Sequence, residues 1–152
     1  MRRNQRNDRM AVIGTFQERV HLLDRCRIVL DAMEASGRFD CADLDGLRVA
    51  RAGFLREPHR AIWGLCSFTR QHRQAKHAGE RTWRILVARD LLYRTDDELE
   101  RTIYHEFLHG IVGVEAEGTH GPRFTRMEGL YDAVISPHLI TATKNGMPYS
   151  AA

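Results

Sequence analysis

The chain has 152 residues, a length that fits one domain with its own hydrophobic core. Hydrophobic residues make up 43% and charged residues 28% of it, the balance of an ordinary globular protein, and no apolar run approaches the roughly 20 residues that span a bilayer. The net charge is +3, and the three cysteines Cys26, Cys41 and Cys66 form no Cys-x-x-Cys pair, which argues against a disulfide framework or a cysteine zinc ribbon.

The chain begins with a basic stretch. Residues 1–10 carry four arginines (Arg2, Arg3, Arg6 and Arg9) and one aspartate, and we expect them to form a flexible basic arm. The apolar stretch at residues 10–14 is shorter than the core of a signal peptide. The sequence therefore predicts a cytosolic protein.

The first predicted helix begins at Thr15, because Thr15 and Glu18 have the spacing of a capping box. Ser36-Gly37 is a natural end for it. Apolar residues between these points recur at spacings of three and four, which predicts one buried stripe. The stripe consists of Phe16, Val20, Leu23, Cys26, Leu30 and Met33.

Three strand-like segments follow, and they predict a three-stranded sheet. Residues 47–52 alternate weakly, residues 61–69 are rich in β-favouring side chains, and residues 83–88 alternate clearly. The polar stretch 70–81 between the last two has the composition of a loop or an extended hairpin.

Two further helices are predicted in the second half of the chain. One begins at Thr95, where Thr95 and Glu98 again have capping-box spacing, and its buried stripe is Leu99, Ile103, Phe107 and Ile111. The other runs from Pro122 or Arg123 to about Val134. We therefore expect one domain over residues 11–136 and a loosely ordered tail over residues 137–152.

The motif with chemical content lies on the second of these helices. His105 and His109 are four residues apart, so both imidazoles project from one helix face, almost opposite the apolar stripe, and can share a metal ion. Glu106 is turned by one residue step, which places a carboxylate beside the metal without making it a ligand. His-Glu-x-x-His is the spacing used by zinc peptidases.

Catalytic zinc takes three protein ligands and keeps one position open for water. His120 is the preferred third ligand, because the glycines at 118 and 121 let the chain reverse and return it to the metal. Glu115 and His138 are the alternatives. Glu115 lies very near the motif in sequence, and His138 belongs to the predicted tail.

The segment His105-Glu106-Phe107-Leu108-His109, followed by His120-Gly121-Pro122-Arg123-Phe124, resembles the SprT-like metallopeptidase domain of the Spartan-related zincin family. The segment Trp63-Gly64-Leu65-Cys66 before it resembles the family too. The resemblance implies a mixed α+β zincin core, in which an N-terminal helix and a three-stranded sheet precede two zinc-bearing helices. It also implies a Zn²⁺-dependent endopeptidase that acts on protein substrates, including DNA-associated proteins.

In the implied mechanism, Glu106 is the general base that takes a proton from water and passes it to the leaving amine. Tyr104, Arg123 and Tyr131 are near in sequence and are interpreted as packing or surface residues. By analogy with zincins, the strand around residues 62–68 is a candidate edge for binding an extended peptide by strand addition.

The charge distribution raises a second class of partner. Residues 47–90 carry ten Arg or Lys against three Asp or Glu, a local +7, whereas residues 91–118 carry two against seven, a local −5. The basic regions suggest weak, sequence-independent DNA binding, and the missing cysteine ribbon argues for low affinity. Two other classes stay open, a nucleic-acid-binding module with structural zinc and an inactive zincin-like adaptor.

Overall fold

The computed structural model describes residues 11–55, 64–68 and 83–139, which have the predicted α+β composition. The strands are β1 (Ala11–Val12), β2 (Arg51–Leu55), β3 (Gly64–Phe68) and β4 (Trp83–Ala88). The α-helices are α1 (Phe16–Ser36), α2 (Cys41–Arg48), α3 (Asp96–Val112) and α4 (Pro122–Glu128). The predicted basic arm and the polar stretch 70–81 lie outside the described residues.

Local capping fixes both long helices at the predicted positions. The Thr15 hydroxyl accepts a hydrogen bond from the Glu18 amide (3.1 Å), and the Glu18 carboxylate accepts one from the Thr15 amide (2.7 Å), which is a complete capping box. Gly37 ends α1 in the left-handed conformation, with φ 68°. At α3 the Thr95 hydroxyl accepts from the Glu98 amide.

The buried face of α1 differs from the predicted stripe. Phe16 is 70% exposed and Leu23 is 52% exposed, and Val20 also reaches solvent. The core contacts come instead from a face rotated around the helix, while the C-terminal part of the predicted stripe is buried as expected. The buried apolar residues of α1 are Leu22, Cys26, Ile28, Val29, Leu30, Ala32 and Met33.

Within the described residues the sheet has four strands in the order β1-β2-β4-β3, so the expected three-stranded sheet omitted the short strand β1. The two central strands are parallel, with Phe54 opposite Val87, and both outer strands are antiparallel to their neighbours. The first predicted strand was also misplaced. Residues 47–52 include the end of α2 and the start of β2. The helix α2, which begins after the N-cap residue Asp40, was not predicted from the sequence.

The helix α3 lies against the sheet and against α1. Its residues Leu99, Ile103 and Phe107 are at most 1% exposed and join the core cluster with side chains of α1, β2 and β4. A buried ion pair also joins the two helices, since Arg25 Nη1 donates to Glu100 Oε1 at 3.0 Å. The site-bearing helix is therefore anchored on two sides.

Helical backbone extends past residue 136, where the predicted domain ends. After α4, a π-helical turn (Tyr131–Ile135) passes into helical backbone at residues 136–139, and Leu139 is buried in the core. The rest of the predicted tail, residues 140–152, lies outside the described part. Within the described ranges, no helix combines the length and apolar character needed to cross a membrane.

Candidate metal centre

The face of α3 opposite the core presents two of the predicted ligands. His105 and His109 are partly exposed, whereas Tyr104 and Leu108 beside them are buried. The side chains of His105 and His109 meet because residues four apart on a helix share one face. The helix thus divides its residues between a packed face and an open face, as the sequence predicted.

The third predicted ligand joins them from outside the helix. His105 Nε2 lies 3.1 Å from His109 Nε2 and 3.4 Å from His120 Nε2. One ligand atom from each of the three lies within 4.8 Å of the others, so the group can hold a metal ion. Tetrahedral zinc with Zn–N bonds of 2.0–2.1 Å requires nitrogens about 3.3 Å apart. The distances from His105 Nε2 to the other two nitrogens, 3.1 and 3.4 Å, are close to that requirement.

The connection between α3 and α4 brings His120 back to the helix. Gly113 ends α3 with φ 70°, and Gly118 has φ 116°, two left-handed conformations that favour glycine. Between them Glu115 and Gly118 pair their backbones, each amide donating to the other's carbonyl at 3.0 Å. The chain reverses as predicted at Gly118. The second predicted glycine, Gly121, has φ −73° and precedes α4, so the other positive φ lies at Gly113 instead.

An aromatic side chain that sequence reasoning missed supports all three imidazoles. The Phe124 ring is stacked on His109, with centroids 4.5 Å apart, and meets His105 and His120 edge-on at 4.9 Å. Phe124 is 1% exposed, so its buried ring shields one side of the three imidazoles from solvent. The signal was present in the sequence, because Phe124 follows His120 by four residues within the motif.

The protonation state of His109 suits a bound cation. Burial and the neighbouring His105 and His120 lower the pKa of His109 to about 4, so its ring is neutral near pH 7. The Glu128 carboxylate is in hydrogen-bond contact with His105 Nδ1, and the other ring nitrogen of His105, Nε2, faces the cluster. A metal-ligating histidine must be neutral and is usually oriented by such a partner.

Glu106 follows His105 on α3, and its side chain lies between α3 and β3. Glu106 is 5% exposed, and its carboxyl group packs on the backbone of Gly64, where an added Cβ would lie 2.8 Å from Glu106 Oε1. Burial raises the pKa of Glu106 to about 7, near the value that suits a general base in neutral solution. The glycine at 64 therefore makes room for this carboxylate.

The alternative ligands have other places. The Glu115 carboxylate is bonded to backbone amides at the start of α4, and neither it nor His138 belongs to the metal-capable group. Tyr104 donates its hydroxyl hydrogen bond to the Met127 carbonyl and is buried, as is Tyr131. Both tyrosines are packing residues, as the sequence indicated.

Comparison of the chain with protein-family models, with curated proteins and with solved structures finds no match.

Proposed function

We propose that this protein is a zinc-dependent endopeptidase of the SprT-like, zincin type. The observation that carries the proposal is the convergence of three imidazole nitrogens from His105, His109 and His120 beside a helix that also bears the buried Glu106. The donor set is three imidazole nitrogens that lie close together, which is a set that zinc prefers.

The residues divide the work of peptide hydrolysis between them. The three histidines would hold zinc, which when bound supplies Lewis acidity that polarises a peptide carbonyl and activates water. Glu106 accepts a proton from the attacking water at its carboxylate and delivers it to the amine that leaves. Phe124 excludes solvent beneath the imidazoles, and Glu128 holds His105 in the tautomer that presents Nε2.

The ligand count favours catalysis over a structural metal. A structural zinc site is closed by four protein ligands, whereas a catalytic one keeps a position open. In the part of the chain that the structure describes, the group has three members and no fourth. This observation argues against a non-enzymatic module that uses zinc only for folding.

The strand β3 supports a protein substrate. Within the described residues β3 is an edge strand of the sheet and runs antiparallel to β4. Gly64 at its start contacts Glu106. An extended peptide added alongside β3 would pass close to the general base. We propose this edge as the substrate site, with unfolded or extended protein segments as the substrate class.

Zinc content and hydrolysis together test the proposal. We expect elemental analysis to find about one zinc per chain, with strong loss in His109→Ala and His120→Ala. We also expect the protein to cleave fluorescently labelled unfolded casein, to stop when a chelator removes the metal, and to resume when zinc is restored. Full zinc with no cleavage would favour the inactive adaptor.

DNA binding is a separate part of the proposal. It rests on the basic character of residues 1–10 and 47–90 and on the resemblance of the site to a family that acts on DNA-associated proteins. Fluorescence anisotropy with single- and double-stranded DNA should show weak binding that falls steeply as salt rises. If binding is absent at low salt and cleavage is indifferent to DNA, the peptidase acts without nucleic acid.

A further inference from the structure

The third ligand has weaker local support than the other two. His105 and His109 are fixed by the backbone of α3, whereas His120 belongs to the connection over residues 113–121 and is exposed. A ligand on a connection must be ordered when a metal binds unless the fold orders it beforehand, and that ordering costs affinity. The residues that hold this connection in place therefore bear on metal affinity.

Glu115 makes the contacts that hold it. Its Oε1 accepts a hydrogen bond from the Arg123 amide at 3.0 Å, and its Oε2 accepts one from the Phe124 amide at 3.1 Å. The same carboxylate packs on Gly121, where an added Cβ would lie 2.5 Å from Oε2. The side chain of Glu115 thus reaches across His120 to the residues that follow it.

The backbone of Glu115 fixes the other side of the same ligand. Its paired hydrogen bonds with Gly118 close the turn just before Thr119 and His120. His120 is consequently held between two points that are both set by Glu115. The hydrogen bond from the Phe124 amide to the Glu115 carboxylate also fixes the position of the Phe124 ring, which contacts His109 and His120.

We propose that Glu115 is a positioning residue for the third metal ligand. Its carboxylate ties the start of α4 to the turn at residues 115–118 and so places His120 beside His105 and His109 before any metal binds. This inference rests on the proposed metal centre, and it gives the acidic residue near the motif a role that is not ligation.

Zinc affinity, measured by competition with a chromophoric chelator, tests the role without any need for catalysis. Outer residues that orient ligands typically change metal affinity 10- to 100-fold, so we expect Glu115→Ala to weaken zinc binding by at least about tenfold. Glu115→Gln, which keeps one acceptor oxygen, should lie between. Glu117→Ala is the matched control, because it removes the same charge from the same exposed turn and should change affinity less than about twofold.

A double-mutant cycle separates positioning from a general effect on the fold. In the His120→Ala background, measured against a weaker chelator, Glu115→Ala should change zinc affinity less than about twofold, because its effect passes through His120. An undiminished effect in that background, or wild-type affinity in folded Glu115→Ala and Glu115→Gln, would overturn the role. If His120→Ala itself binds zinc as tightly as wild type, the three-histidine centre is wrong instead.

Discussion

Glu18 and Glu106 are buried to nearly the same extent, at 6% and 5% exposed, yet their environments are opposite. The Glu18 carboxylate accepts hydrogen bonds from Arg89, Tyr93 and the Thr15 amide. The Arg89 guanidinium and these other donors lower the pKa of Glu18 to about 2. No described residue donates a hydrogen bond to the Glu106 carboxylate, and burial raises its pKa to about 7.

A third buried glutamate lies between these extremes. Glu100 is 7% exposed and paired with Arg25, but burial outweighs the ion pair and its pKa is raised. The three residues show that burial alone does not give a glutamate its role. A carboxylate whose partners are supplied by the fold stabilises the fold, and one left without partners beside a metal-capable cluster is available for chemistry.

The largest expected effect concerns Glu106→Gln. Because the change removes the base but keeps the size of the side chain, we expect hydrolysis of unfolded casein to fall about 10²- to 10⁴-fold. Zinc content should stay at the wild-type level. The free energy of unfolding should be equal or higher, because Glu106→Gln removes the cost of burying a carboxylate that has no described hydrogen-bond donor. A variant with wild-type turnover would contradict the assignment.

Arg25→Ala tests the intermediate case. It leaves the Glu100 carboxyl group buried without its partner, so we expect a loss of about 3 kcal/mol in the free energy of unfolding, measured with urea. The double variant Arg25→Ala/Glu100→Gln should recover part of that loss. Equal stability of the single and double variants would mean that Glu100 is not held by this pair.

Gly64→Ala tests the contact between β3 and the general base. The new Cβ would lie 2.8 Å from Glu106 Oε1, so the carboxylate must move. We expect hydrolysis to fall about 10- to 100-fold while zinc content is unchanged. Gly53→Ala is the control, because its Cβ would meet Leu86 at 3.2 Å on the central part of the sheet. The same loss of turnover in both variants would point to a general effect on the sheet.

The smallest expected effect concerns the pH dependence conferred by Glu18. Its folded-state pKa of about 2 lies below the ordinary 4.5, so in this window the unfolded chain binds the proton and the folded chain does not. Glu18 therefore stabilises the fold above pH 4.5, and that contribution is lost as pH falls towards 2. Between these pH values, urea unfolding of Glu18→Gln should depend less on pH than unfolding of the wild type. Parallel profiles would contradict this role.

The sequence by itself determined the features that depend on neighbouring residues. Thr15 and Thr95 mark the starts of α1 and α3 because a capping hydroxyl and its amide are three residues apart. The pairing of His105 with His109 follows from the helical repeat in the same way. Gly118, one of the two glycines predicted to reverse the chain, has φ 116° in the turn that returns His120.

Only the tertiary structure decided which surfaces those elements bury and which partners their side chains meet. Leu22 and Val29 face the core while Phe16 and Leu23 face solvent, because the position of α1 against the sheet and α3 selects one of several apolar faces. The contact of Gly64 with Glu106 joins residues far apart in sequence. Short-range capping and periodicity act within one or two helical turns, whereas burial depends on packing partners that spacing alone does not specify.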